Sequence, residues 1–341
     1  MINYRGPQMA LFMEGLLAKL KTFLSTERNP LLLTTSGTGG LEAAITNTLS
    51  PRDRVVGIDA GVFGKRFCSV AKSYGASVRV IDVQWGHCIE PEVLRGVLRQ
   101  EANCRAVLLT HNETSTGILH PLKELCQVVR EETDALILVD SVSGLGATPL
   151  LTDELHIDVV ITASQKAWGA PPGLALLCLS ERAWQANKSA EMPRFYFDLL
   201  RYKDSQERGS FPFTPALPIL FALDVTLDFM IRETPEAIFY RHDQTARHVR
   251  QQVMSSGFSL FADERHASPT VTSIRIPDSV NEEDLVRILR DEHKTILARG
   301  QEKLQGSIIR LGHLGWFNKR EIDNALGALL GTLSKMSPSS N

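Results

Sequence analysis

Apolar residues along the 341-residue chain fall into short continuous runs separated by amphipathic stretches. LLLTT (31–35), RVVGID (54–59), SVRVIDV (77–83), AVLLT (106–110), LILVD (136–140), DVVITAS (158–164) and LALLCL (174–179) make seven candidate strands. Their continuous rather than alternating apolar character predicts burial on both faces. The helical segments between them predict right-handed crossovers in a mostly parallel sheet. After the Pro-punctuated SFPFTPALP (210–218) the rhythm changes: helix over 236–256, strands near 258–262 and 270–276, helix over 282–293, strand over 307–312 and helix over 319–334. The chain reads as an α/β protein, with a large α/β domain over 1–235 built on a seven-stranded sheet and a smaller α+β domain over 236–334. The polar tail, 335–341, is expected to be disordered.

Composition narrows the function classes. A net charge of −2 with no basic cluster gives no footprint for nucleic acid or an acidic membrane. No run approaches the roughly 18 apolar residues of a membrane span. The start, MINYRGPQMALFMEGLLAKL, lacks the apolar core of a signal peptide, its apolar residues being interrupted by Glu14 and Lys19. Cys68, Cys88, Cys104, Cys126 and Cys178 are scattered and odd in number, which points to a reducing, cytoplasmic setting.

In an open α/β sheet, ligands bind at the carboxyl ends of the strands, so the residues that follow each run carry the information. SGTGG (36–40) follows the first and opens a helix, offering free N–H groups and a positive helix end suited to phosphate. A plain Gly-rich turn capped by Thr38 is the alternative, and the Walker pattern is absent. Asp140 ends an otherwise apolar strand, where a carboxylate needs a cation or strong donors unless it only caps the next helix. Lys166 follows the next strand; a desolvated lysine there would attack a carbonyl, although a lone lysine is more often a surface residue. A phosphate cradle, a buried carboxylate and a lysine at strand ends are the three anchors that pyridoxal phosphate requires. Phe63, in GVFGKR, offers a face for its ring if it is not simply an apolar core or loop residue. His87, His111, His120 and His313 show no metal-ligand spacing and read as structural, so no metal is expected.

With these residues assembled, the chain resembles the class V aminotransferases of the fold-type I pyridoxal-phosphate enzymes, in the alanine–glyoxylate and serine–pyruvate branch. The resemblance rests on TTSGTGGLEAAITN, GVFGKRF, HNETSTGILHPL, LILVDSVSGLGATPL, SQKAWGAPPG and SIIRLGHLGW, which with NYRGP span residues 4 to 315. It implies that Lys166 carries the cofactor as a Schiff base, that Asp140 holds the pyridinium proton and that Phe63 stacks on the ring, where relatives often have Trp or Tyr. It further implies phosphate contacts from Thr38, Gly39, Gly40 and Gln165, with Thr214 reaching in from the second subunit of a homodimer. Thr114 is placed near the ring, and Arg310 clamps the substrate carboxylate. The implied reaction moves an amino group from a small amino acid to a 2-oxo acid in a ping-pong cycle.

Two departures from the family pattern stand out. Relatives open with a Pro- and Gly-rich segment of the PGPT type that walls the active site, whereas this chain starts almost at NYRGP, so either substrate binding is altered by a more open entrance or the true start lies upstream. Phe211 stands where relatives often place a phosphate-binding Tyr, an expected loss of about 1 kcal/mol of anchoring. Two alternatives stay open: a specialised transaminase with a larger amino donor, and a non-catalytic subunit that keeps the fold. The cysteine desulfurase branch is disfavoured, because Gln165 rather than His precedes the lysine and no Cys follows Cys178.

Overall fold

The computed structural model describes residues 3–337. Its strands are β1 Leu31–Thr34, β2 Arg54–Asp59, β3 Ser77–Asp82, β4 Cys104–Thr110, β5 Asn112–Glu113, β6 Ile118–Leu119, β7 Leu136–Asp140, β8 Val159–Ala163, β9 Leu174–Leu179, β10 Val271–Arg275, β11 Ala298–Arg299 and β12 Ile308–Gly312. Its helices are α1 Pro7–Leu24, α2 Gly37–Thr48, α3 Val62–Ser73, α4 Pro91–Gln100, α5 Leu122–Glu132, α6 Glu181–Asn187, α7 Leu199–Glu207, α8 Leu217–Glu233, α9 Pro235–Ser255, α10 Glu282–Asp291 and α11 Lys319–Met336.

All seven apolar runs become strands of one sheet in the order β1-β9-β8-β7-β4-β2-β3. Neighbours from β8 through β7, β4 and β2 to β3 are parallel, while β9 runs antiparallel to both β8 and β1. Every residue of β7, β8 and β9 is buried, as a strand covered on both faces requires. Two apolar clusters line the two faces of this sheet. One contains Leu32, Val56, Val107, Val139 and Val160, and the other Leu33, Val55, Leu108, Leu138 and Ile161, alternating as the pleat dictates.

The first helix was not signalled by its charges. Glu14 and Lys19 break the apolar run, yet Met9, Met13, Leu16, Leu20 and Phe23 recur at helical spacing and all are buried, so α1 covers the sheet with one face. Pro7 starts it and a left-handed Ser25 ends it.

The second sheet, β10-β12-β11, is antiparallel and closes with α9, α10 and α11 around a core of Val249, Ile274, Leu289, Ile309 and Leu329. The strand expected at 258–262 does not form: only the bridge Leu260 to Ile274 remains. Phe258 and Leu260 pack on this core and Phe261, on the opposite side, on the cluster of Val62, Trp85, Leu304 and Ile308, but the chain bends at 261–262 and the ladder goes no further. α11 runs to Met336, and residues 338–341 of the expected tail lie outside the described residues.

Candidate active site

The lysine loop follows directly from β8. Ser164 braces it, accepting from Leu174 N at 3.2 Å and donating from Oγ to Pro171 O at 2.7 Å. Trp168 is fully buried and donates to Thr162 Oγ1 at 3.0 Å, anchoring the loop to the strand. Gly169 adopts φ +67, and a Cβ there would overlap the Trp316 indole, which explains a glycine behind the tryptophan. This rigid turn leaves Lys166 half-buried with no acceptor for its amine among the described residues. Burial, and then the positive charge of Arg310, push the Lys166 pKa below its ordinary value, with Asp140 acting in the opposite sense.

Asp140 ends β7, one strand over, and is buried. It does not cap a helix. Its Oδ1 accepts from Val142 N at 2.9 Å, and its other oxygen receives no protein donor among the described residues. Burial raises the carboxyl to about 6, against the Val142 hydrogen bond and the charges of Arg66 and Lys166. An acid so placed gains from any cation that reaches its free oxygen.

SGTGG starts α2 as expected, although the cap is Ser36 rather than Thr38: its side chain accepts from Gly39 N at 3.5 Å. The glycines are packing requirements. A Cβ on Gly37 would sit 2.9 Å from Val142 Cγ2, and one on Gly40 2.8 Å from Ile161 Cγ2, while one on Gly39 would overlap Thr35 and press on Phe197. The helix end therefore lies directly over the ends of β7 and β8. Among the described residues no protein acceptor meets the N–H groups of Gly37 and Thr38. Gln165, beside the lysine, keeps a buried side-chain oxygen with no partner.

Arg310 enters from β12 of the second sheet and is 8% exposed. It donates from Nη1 to Thr114 O at 2.9 Å, from Nη2 to Arg299 O at 2.9 Å and from Nε to the same carbonyl at 3.2 Å. Of a guanidinium's five N–H donors this uses three and leaves two for a ligand. Burial makes its charge costly, which Glu113 counters. Thr114 donates from Oγ1 to Ser143 at 2.6 Å, while Phe63 is half-buried on α3 with the Arg66 guanidinium 5.0 Å from its ring centroid. The structure thus brings Lys166, Asp140, Arg310 and Thr114 into one group linked by charge and by hydrogen bonds, with the first turn of α2 packed on Val142 and Ala163 beside Asp140 and the lysine loop.

Thr214 stands apart: it is exposed between α7 and α8, and no described hydrogen bond ties it to the others. Phe211 is buried in the core, where a ring without a hydroxyl is the fitting residue. His111 pairs with Ser141 and His313 with Thr272 and Pro269, each buried and pushed to about 3 by desolvation, while His120 is buried and His87 exposed. Sequence reasoning missed Glu113, a fully buried carboxylate, and Ser115 beside it. The signal available was an acid inside an otherwise uncharged run, NETSTG.

The aminotransferase class-V family model matches residues 2–313. The chain belongs to the class V aminotransferases. It is 38% identical over 94% of its length, and 84% of the relative's, to an uncharacterized aminotransferase of Methanocaldococcus jannaschii. It is 33% identical over 96% of its length, and 83% of the relative's, to serine–glyoxylate aminotransferase of Arabidopsis thaliana. The crystal structure of pyridoxamine–pyruvate aminotransferase from Mesorhizobium loti superposes with TM-score 0.94 at 30% identity, covering 99% of this chain and 87% of that one.

Class V aminotransferases are pyridoxal-phosphate enzymes. The residues present fit that cofactor: free helix N–H groups and an unpartnered Gln165 suit its phosphate, and the open oxygen of Asp140 suits a pyridinium N–H. Lys166, with a lowered pKa and no partner, suits its aldehyde.

Proposed function

We propose that this class V aminotransferase uses pyridoxal phosphate to move the amino group of a small, alanine- or serine-like amino acid to a 2-oxo acid such as glyoxylate, pyruvate or 2-oxoglutarate, in a ping-pong cycle. The observation that carries the reading is the grouping of a lysine of lowered pKa with one buried carboxylate and one buried guanidinium.

When bound, the cofactor supplies an electron sink that acidifies the substrate Cα–H and a place to store the amino group. Lys166 would hold the cofactor, and its neutral Nζ, once free, would take the Cα proton and deliver it to the cofactor's C4′ carbon. Asp140 would accept the pyridinium N–H, the first turn of α2 with Thr38, Gly39 and Gly40 would receive the phosphate together with Gln165, and Phe63 would cover the ring. The two unused N–H groups of Arg310 form a fork for the substrate carboxylate, held in place by the carbonyls of Thr114 and Arg299. Thr214 is assigned to the phosphate site of a second copy in a homodimer, a reading its exposure and that of Leu11, Phe195 and Phe229 support. The five cysteines are all free, which is in keeping with a cytoplasmic protein, and no described helix is long and apolar enough to cross a membrane.

The relatives' names favour small donors with glyoxylate or pyruvate as acceptor, and the neighbour named for pyridoxamine favours, as a second reading, a larger donor at the same site. The test is a single half-reaction. Enzyme loaded with pyridoxal phosphate is mixed with one amino acid at a time and no acceptor. The expected result is one equivalent of 2-oxo acid per site, and parallel double-reciprocal lines in the full reaction. Turnover of donor by Lys166→Ala at the wild-type rate would defeat the mechanism.

A further inference from the structure

Glu113 lies in the tight hairpin β5–β6, has no exposed surface, and accepts four hydrogen bonds. Its Oε2 takes Phe63 N at 3.1 Å and Gly64 N at 2.9 Å, and its Oε1 takes Ser115 N at 3.1 Å and Ser115 Oγ at 2.5 Å. Ser115 Oγ in turn accepts from Val62 N at 2.9 Å. The first three N–H groups of α3 are thus satisfied by a carboxylate and a hydroxyl from a segment some fifty residues away. A helix N-terminus is an anion site by its free donors and its dipole. Here the anion is built in, which leaves the N-terminus of α2 as the open one.

The sequence around Glu113 is shaped to admit it. A Cβ on Gly61 would lie 2.5 Å from Glu113 Cγ and from Ser115 Oγ, and one on Gly64 would overlap Ile58 O. Glycine at 61 lets helix and carboxylate meet, and glycine at 64 lets the same helix turn lie against the end of β2, which accounts physically for the GVFG spacing. All four partners of Glu113 donate, so above about pH 7, where the carboxyl is ionised, it accepts on both oxygens and matches them as an amide does not.

What this junction joins is specific. On one side, Phe63 is the second residue of α3 and donates its own N–H to Glu113. On the other, the next residue, Thr114, offers its carbonyl to Arg310 and its hydroxyl to Ser143. We propose that Glu113 is a positioning residue of the active site: one carboxylate ties the aromatic face of Phe63 to the hairpin that seats Arg310, fixing ring and guanidinium relative to each other. Glu113 touches neither cofactor nor substrate; it acts through Phe63 and Thr114. The inference rests on the reading of Phe63 as the face over the cofactor and Arg310 as the carboxylate clamp.

The test is a double-mutant cycle on cofactor affinity, read by absorbance titration of the apoprotein with pyridoxal phosphate, using wild type, Glu113→Gln, Phe63→Leu and the double variant. Each single change is expected to weaken binding by about tenfold, the size of a charge-assisted hydrogen bond or a ring contact. The double variant is expected to be no weaker than the weaker single, because both act through one ring. In the loaded enzyme, Glu113→Gln is expected to raise the donor KM more than it lowers kcat, as a displaced clamp requires. Wild-type cofactor affinity in Glu113→Gln, or effects that multiply in the double variant, would overturn the proposal while leaving the cofactor site standing. Wild-type affinity in Phe63→Leu would remove the underlying reading of Phe63 and the proposal with it. If Glu113→Gln does not fold, Ser115→Ala takes its place in the cycle with the same criterion, since it removes the Val62 cap and one bond to the carboxylate.

Discussion

Arg310 donates to the backbone carbonyl of Thr114 at 2.9 Å across 196 residues of chain, so the second sheet supplies the guanidinium and the β5–β6 hairpin that follows β4 fixes where it points. A lysine at 310 is a single point donor on a flexible stem and cannot bridge Thr114 O and Arg299 O while still offering a two-pronged fork. Arg310→Lys is expected to raise the donor KM by about 10- to 100-fold with a smaller change in kcat. Steady-state kinetics with a carboxylate donor, against an amine donor lacking the carboxylate, check this; equal losses for both would show that Arg310 does not hold the carboxylate.

The charges around Lys166 set the sign of a second outcome. Burial and Arg310 disfavour its ammonium form, so the amine of the apoprotein is expected to become reactive at a pH below its ordinary 10.5. Arg310→Met removes a positive neighbour and should move the midpoint up, whereas Asp140→Asn removes a negative one and should move it down. The pH dependence of Lys166 acylation, followed by peptide mass spectrometry, measures all three midpoints.

Glu113 carries a stability cost with a definite pH window. Burial lifts its carboxyl from 4.5 to about 7 in spite of its four donors. Between those values the folded protein binds a proton that the unfolded chain has released, so this group makes the protein less stable as pH rises from 4.5 to about 7. Glu113→Gln lacks that slope. Urea midpoints at pH 5 and pH 8 should therefore show the variant gaining on the wild type by at most about 3 kcal/mol.

Gly40 holds α2 against the sheet, where an added methyl would press on Ile161 and, at 3.1 Å, on Ala175. Gly40→Ala is expected to cost about 1 to 3 kcal/mol of stability and, if the α2 turn receives the phosphate as proposed, to weaken cofactor binding by lifting that turn. Calorimetry of the apoprotein and a cofactor titration measure the two effects separately.

The sheet was legible in the sequence because its strands are buried on both faces and read as unbroken apolar runs; LILVD and LALLCL match their strands residue for residue. The residues that end those runs were legible for the same reason, since Asp140 and Lys166 are conspicuous where the pattern stops. Glu113 was not, because nothing local shows that its partners lie on α3 half a hundred residues earlier. The failed strand at 258–262 gave no local warning: Phe258 and Leu260 on one side and Phe261 on the other read as a strand, and only the bend at 261–262 ends the pairing. Ser36 was passed over as the cap of α2 because Thr38, two residues on, is an equally good capping type and only the helix start distinguishes them.

The central claim is that Lys166 carries the cofactor. The most direct measurement is to load the protein with pyridoxal phosphate, reduce it with borohydride, digest it and map the modified lysine by mass spectrometry. The account predicts the phosphopyridoxyl group on Lys166, in the peptide containing SQKAWGAPPG, and none after Lys166→Ala. Label on another lysine at full stoichiometry, or undiminished label in Lys166→Ala, would contradict it.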